Sequence, residues 1–131
     1  MMYREPSDSP WGVVVRCDTL CTGVYSVSTA GHGGIMVQTD AARRLLSPEA
    51  QAVGFQAGGY LNFEEDCDAP VVLRELVDSG IIAPRTDNYF RPGEYEACID
   101  RSLQHWNPAY WQARQERLSV REAKAAKERE R

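Results

Sequence analysis

Val24-Tyr25-Ser26-Val27-Ser28, Thr29-Ala30-Gly31-His32-Gly33-Gly34, Ile35-Met36-Val37-Gln38: this continuous run of fifteen residues decides the fold. Its first five residues alternate apolar and polar with period two, the pattern of a half-buried strand. Its last four are a short apolar run that reads as a second strand. The glycine-rich stretch between them is too short for a crossover, so the two strands are expected to pair antiparallel through a tight turn. Upstream, Trp11-Gly12-Val13-Val14-Val15-Arg16 is rich in β-branched residues and reads as the preceding strand, with Asp18–Gly23 as the connection. Downstream, Tyr60-Leu61-Asn62-Phe63 alternates again and reads as a fourth strand.

Helix signals occupy the rest. Thr39 or Asp40 is positioned to cap a short helix over residues 41–46, and Ser47-Pro48 is an N-cap followed by a proline at the first helical position. Asp66 or Asp68 opens the clearest helix, with Pro70 in its first turn. Val72, Leu73, Leu76 and Val77 form its apolar stripe, Gly80 sits at the C-terminal stop, and Ile81-Ile82 are expected to continue into the core. Residues 93–106 place Tyr95, Ile99, Leu103 and Trp106 on one helical face. Asn107-Pro108 restarts a helix at once, and the remainder has high helix propensity with little apolar surface after Leu118. The expected class is α+β: a small antiparallel sheet of three to four strands packed on helices, with two C-terminal helices. Residues 1–111 read as a single domain and 112–131 as a charged helical extension.

Composition narrows the partners. The chain has 131 residues, 43% apolar and 26% charged, enough for one core-forming domain. Residues 1–111 carry −7 and residues 112–131 carry +3. An acidic body argues against direct nucleic-acid binding, because phosphate contacts need a basic face. The opposite charges of body and tail permit self-association. No apolar run approaches the ~18 residues of a membrane span. The N-terminal stretch lacks the apolar core of a signal peptide, so a cytoplasmic location with reduced thiols is expected for Cys17, Cys21, Cys67 and Cys98.

Four constellations carry chemistry. His32 among glycines fits neither a phosphate loop, which wants a Lys and a following helix, nor an HGGG-type oxyanion loop, which wants a G-x-S-x-G elbow. It is either a general base or a polar side chain satisfied within a turn. Asn62-Phe63-Glu64-Glu65-Asp66-Cys67-Asp68 holds four carboxylates just before a helix, where they complement its positive end. The same segment offers a cation cluster, or Cys67 as a nucleophile whose pKa the neighbouring carboxylates should raise. Cys17-x-x-x-Cys21 falls within the loose zinc-ligand spacing, and His32 and Cys67 could complete four ligands. His105-Trp106-Asn107-Pro108-Ala109-Tyr110-Trp111 is an aromatic helix junction, either a core anchor or a binding surface.

The stretches STAGHGG, GGYLNFEEDCDAPVVLREL and HWNPAYW together resemble a family of short uncharacterised proteins carried by bacterial mobile elements and phage-like regions. The likeness covers most of residues 5–118 and is most specific at Ser28, Thr29, His32, Gly33 and Gly34 and at Glu64, Glu65 and Asp66. It implies a bacterial, cytosolic accessory protein with an anti-defence or host-interaction role, and no established activity.

These readings converge on a non-catalytic acidic interaction protein that needs no cofactor or metal. Its binding residues would be Glu64, Glu65, Asp68, Trp106, Tyr110 and Trp111, and its partner a basic protein, of which a nucleic-acid-binding protein is one kind. The alternative is a Cys/His-type hydrolase or small-ligand site built from His32, Glu65, Asp66 and Cys67. Zinc binding is the second alternative. The hydrolase or ligand-site alternative brings the His32 turn to the acidic segment, and the same meeting is expected if His32 only serves to hold the fold.

Overall fold

The computed structural model describes residues 3–130. A five-stranded, fully antiparallel sheet lies at its centre, formed by β3 (Arg16–Cys21), β4 (Val24–Ser28), β5 (Gly33–Gln38), β6 (Phe55–Ala57) and β7 (Tyr60–Glu64) in the order β3-β4-β5-β7-β6. A separate two-stranded hairpin, β1 (Asp8–Ser9) and β2 (Gly12–Val13), precedes it. The helices are α1 (Thr39–Leu45), α2 (Pro48–Gln51), α3 (Ala69–Asp78), α4 (Glu94–Trp106) and α5 (Pro108–Arg129). The class is α+β, with two helices at the C-terminal end.

Period-two alternation divides the sheet's side chains between two layers. Val24, Ile35, Val37, Leu61 and Phe63 meet Val72 and Leu76 of α3, Ile99 and Leu103 of α4, and Tyr110 of α5. Burying each large aliphatic or aromatic side chain in this layer is worth roughly 1.5–3 kcal/mol. On the other face Tyr25, Val27 and Met36 are covered by Tyr3, Trp11, Val14, Cys17 and Tyr60. The N-terminal residues are therefore the second layer of the core.

Several elements depart from the sequence reading. The first strand of the sheet is Arg16–Cys21, which begins at the last residue of the strand read from the sequence and runs through most of the segment read as a connection, and residues 11–16 are divided between hairpin and sheet edge. Val13 and Val15 are 72% and 74% exposed, so of the β-branched run that suggested a strand only Val14 packs inward. The sheet has one strand more than expected, because β6 pairs with β7 through Gly58-Gly59. Both glycines have positive φ (61° and 83°), the geometry of a two-residue type I′ hairpin turn. Ile81 is exposed and Ile82 only packs against the core's edge.

The α3 stop matches its signal. Gly80 at φ 73° donates to the Val77 carbonyl (3.0 Å) and Ile81 to that of Leu76 (2.9 Å), a Schellman closure. The starts differ. Ser47 accepts from Ala50 N as expected, but Thr39, Asp68 and Asn107 do not cap. Thr39 Oγ1 donates to the Gly59 carbonyl, tying α1 to the β6–β7 turn.

A charged network that sequence patterning does not reveal locks α3 to α5. Glu75, 6% exposed, accepts from Ser47 N (2.5 Å), Tyr110 OH (2.6 Å) and Arg117 Nη2 (3.3 Å). Asp78 accepts from Arg114 Nε and Nη2 (2.7 and 2.9 Å) and from Arg74, whose Nη1 also reaches Asp100 (3.2 Å). Burial pushes the Asp78 pKa up, but the Arg114 hydrogen bond and the charges of Arg74 and Arg114 outweigh it and hold the carboxyl below its ordinary range. α5 is continuous across residue 112, and these contacts hold its first ten residues.

Candidate functional site

Strand register builds the site. β5 and β7 pair Ile35 with Phe63 and Gly34 with Glu64. The ladder runs one step further, since Glu65 N donates to the Gly33 carbonyl at 3.1 Å. The residue preceding Gly33 is His32 and the residue following Glu65 is Asp66, so pairing delivers the imidazole to the acidic turn at residues 65–68. His32 Nδ1 lies 3.7 Å from Glu65 Oε1.

Thr29 fixes the turn that carries His32. Its N and Oγ1 both donate to the His32 carbonyl (2.7 and 2.8 Å), and His32 N donates back to Thr29 Oγ1 (3.1 Å). Gly31, Gly33 and Gly34 all lie outside positive φ, so this turn uses no left-handed backbone at its glycines. Glycine is needed at 33 and 34 for space. A Cβ at Gly33 would stand 2.5 Å from the Val27 carbonyl and 3.0 Å from Glu65 Oε2, and one at Gly34 would strike the Phe63 carbonyl and the Trp11 indole. Trp11 spans this region, its ring edge-on to His32 (centroids 6.0 Å) and to Phe55 (6.2 Å).

The acidic turn is held from the opposite side. Asn107 Nδ2 donates to the Cys67 carbonyl (2.9 Å) and to Asp68 Oδ1 (3.2 Å). Two residues expected as helix caps therefore join the α4–α5 junction to the turn. Glu65 and Asp66 are exposed, while Glu64 and Asp68 are half-buried. Cys67 is half-buried, and its Sγ is 3.8 Å from Glu64 Oε2. Burial, followed by the charges of Asp68 and Glu64, pushes this thiol up to about 11. The shift runs opposite to the lowered pKa that activates a nucleophilic cysteine.

The remaining predicted residues are dispersed. Cys17 packs in the N-terminal layer and Cys21 against the helical layer, because a register irregularity between Thr19 and Cys21 turns the strand over. They face opposite sides of the sheet, so the four-ligand zinc set of Cys17, Cys21, His32 and Cys67 does not assemble. Burial, aided by Glu5 and Asp18, raises the Cys17 pKa to about 11. Tyr110 is a core residue at 3% exposure and is unavailable to a partner. Trp111 is half-buried beneath the Arg114 guanidinium (5.7 Å). Trp106 alone of the three presents a large open surface, 55% exposed, beside a cleft of about 440 Å³ that Val53 and Pro108 also line.

A groove of about 300 Å³ opens next to the acidic turn and was not legible in the sequence. Leu20, Ile35, Ala69, Leu73 and Tyr95 line its apolar part, with Glu65 and Arg85 among its polar residues. Arg85 is engaged by Asp87 at 2.9 Å, so Glu65 is the groove's uncompensated charge. No helix of the described residues is long and apolar enough to cross a membrane. Neither the curated proteins nor the solved structures offer a match to this chain. A family model described as "Domain of unknown function (DUF7007)" matches residues 4–131, almost the full length, and the protein belongs to that family.

Proposed function

We propose that this protein is a non-catalytic interaction module whose acidic turn meets a basic protein surface. One observation carries the reading: among the described residues, the carboxylates between α3 and α5 are matched by arginines and those of the acidic turn are not. Glu75, Asp78 and Asp100 are matched by Arg74, Arg114 and Arg117. Among the described residues, no Lys or Arg forms an ion pair with Glu64, Glu65, Asp66 or Asp68. Four carboxylates in a fixed turn repel one another, and a cationic partner relieves that repulsion. The adjoining groove suits the aliphatic stem of a Lys or Arg whose head reaches Glu65.

In the cytoplasm of a bacterium carrying a mobile element, the setting the sequence resembles, abundant basic surfaces belong to nucleic-acid-binding proteins. That makes a host or element protein of this kind the proposed partner, with the acidic turn occupying its phosphate-binding face. A fluorescent Lys/Arg-rich peptide tests the chemistry. Anisotropy should rise at low ionic strength, weaken steeply with salt, and fall at least about tenfold in affinity for a Glu64→Gln/Glu65→Gln/Asp66→Asn variant. Neutralising Glu122 and Glu128 in the tail should leave it unchanged. Equal binding by the triple variant, or no binding at low salt, refutes the proposal.

A further inference from the structure

A basic partner explains the carboxylates of the turn and leaves His32 unexplained. Its Nδ1 stands 3.7 Å from Glu65 Oε1, too long for a good hydrogen bond. That spacing suits two ligands sharing one ion, because bonds of about 2.0–2.2 Å at open tetrahedral angles place their donor atoms roughly 3.5 Å apart. Asp66 supplies a third donor. One ligand atom from each of His32, Glu65 and Asp66 lies within 4.8 Å of the others, the group of its kind among the described residues. The donors come from two chain segments that only the β5–β7 pairing unites.

We propose that His32, Glu65 and Asp66 form a binding site for a divalent transition-metal ion of the Zn²⁺ type. Two carboxylates and an imidazole make a mixed oxygen–nitrogen donor set, and the imidazole favours Zn²⁺ and its neighbours over Ca²⁺ and Mg²⁺, which prefer all-oxygen shells. The supporting structure is already in place. Thr29 fixes the backbone of His32, Trp11 flanks its ring, and the missing Cβ of Gly33 leaves room for the Glu65 carboxylate. The ion would neutralise the charge that the two carboxylates accumulate. With Glu65 and Asp66 exposed, the remaining coordination positions are open to water or to a donor from a partner. The thiols are not part of the set: Cys67 turns to Glu64, and Cys17 and Cys21 lie on opposite faces of the sheet.

The site shares Glu65 and Asp66 with the acidic turn but does not depend on the peptide-binding reading, which is assayed without metal. Isothermal titration of the full chain with Zn²⁺, thiols kept reduced, should give one saturable equivalent. Affinity should fall at least about tenfold in His32→Ala and in Asp66→Asn, with unchanged circular dichroism, and should persist in Cys17→Ser/Cys21→Ser/Cys67→Ser. Ca²⁺ should bind more weakly than Zn²⁺ and be insensitive to His32→Ala. Three results would each overturn the proposal: no saturable Zn²⁺ binding at millimolar ion, full affinity in His32→Ala, or Ca²⁺ binding as tight as Zn²⁺. Should His32→Ala lose its fold, histidine Nδ1 and Nε2 shifts of the wild type followed by NMR during Zn²⁺ addition decide instead. Movement confined to His105 would refute the site.

Discussion

Replacing Gly34 by alanine should cost far more than the same change at Gly31, three residues earlier in the same turn region. Neither position has a left-handed backbone, so conformational strain is common to neither. At Gly31 a new Cβ meets nothing within 4 Å. Losing glycine's freedom in the unfolded chain should then leave Gly31→Ala neutral or stabilised by up to about 1 kcal/mol. At Gly34 the Cβ would collide with the Phe63 carbonyl on β7 and with the Trp11 ring, whose Cζ2 would lie 2.8 Å away. The indole can rotate, but the carbonyl belongs to the β5–β7 ladder and can retreat only by parting the strands. Overpacking costs about 1–3 kcal/mol, and a backbone obstacle points to the upper end. For a domain of this size each kcal/mol moves Tm by roughly 3–5 °C, so Gly34→Ala should melt about 10–15 °C below wild type. Differential scanning calorimetry measures both variants. Tryptophan emission should also shift as Trp11 is displaced. A Gly34→Ala protein melting within about 2 °C of wild type, or a Gly31→Ala protein falling equally far, would refute the packing argument.

Two further predictions concern titrating groups. Asp78 has a folded-state pKa below its unfolded value, so its contribution is fully present above about pH 5 and is lost as pH falls through the folded pKa. The Tm advantage of wild type over Asp78→Asn should therefore shrink on acidification below about pH 4, and an advantage unchanged between pH 7 and about pH 2 would count against the network. Iodoacetamide at pH 7.5 should modify exposed Cys98 first, with Cys17 and Cys67 lagging because burial and nearby carboxylates raise both to about 11. Peptide mapping showing Cys67 labelled first would refute this ordering and favour the nucleophile reading.

The sheet's centre was legible because central strands bury one set of alternating residues deeply, as Val24, Val37 and Phe63 do. α3 was legible through its stripe and Gly80. The first strand was misplaced because an edge strand pairs on one side only. Arg16–Cys21 is correspondingly polar, whereas the apolar Val13 and Val15 merely coat the surface. β6 is three residues long, too short to display a period. The meeting of His32 with the acidic turn was expected without the pairing that produces it: the β5–β7 register that sets it is not written in the sequence. The Arg74–Glu75–Asp78 network could not be read at all. Its arginine partners on α5 lie about forty positions away, and on α3 alone these residues look like a solvated face.

The N-terminal layer has one more consequence. Trp11 meets both the ring of His32 and that of Phe55 on the short outer strand, and it reaches them from the hairpin of β1 and β2. Loosening that hairpin would uncover the back of the sheet and at the same moment release the wedge beside His32. A protease cut in that hairpin would therefore reach the acidic corner by way of the Trp11 indole.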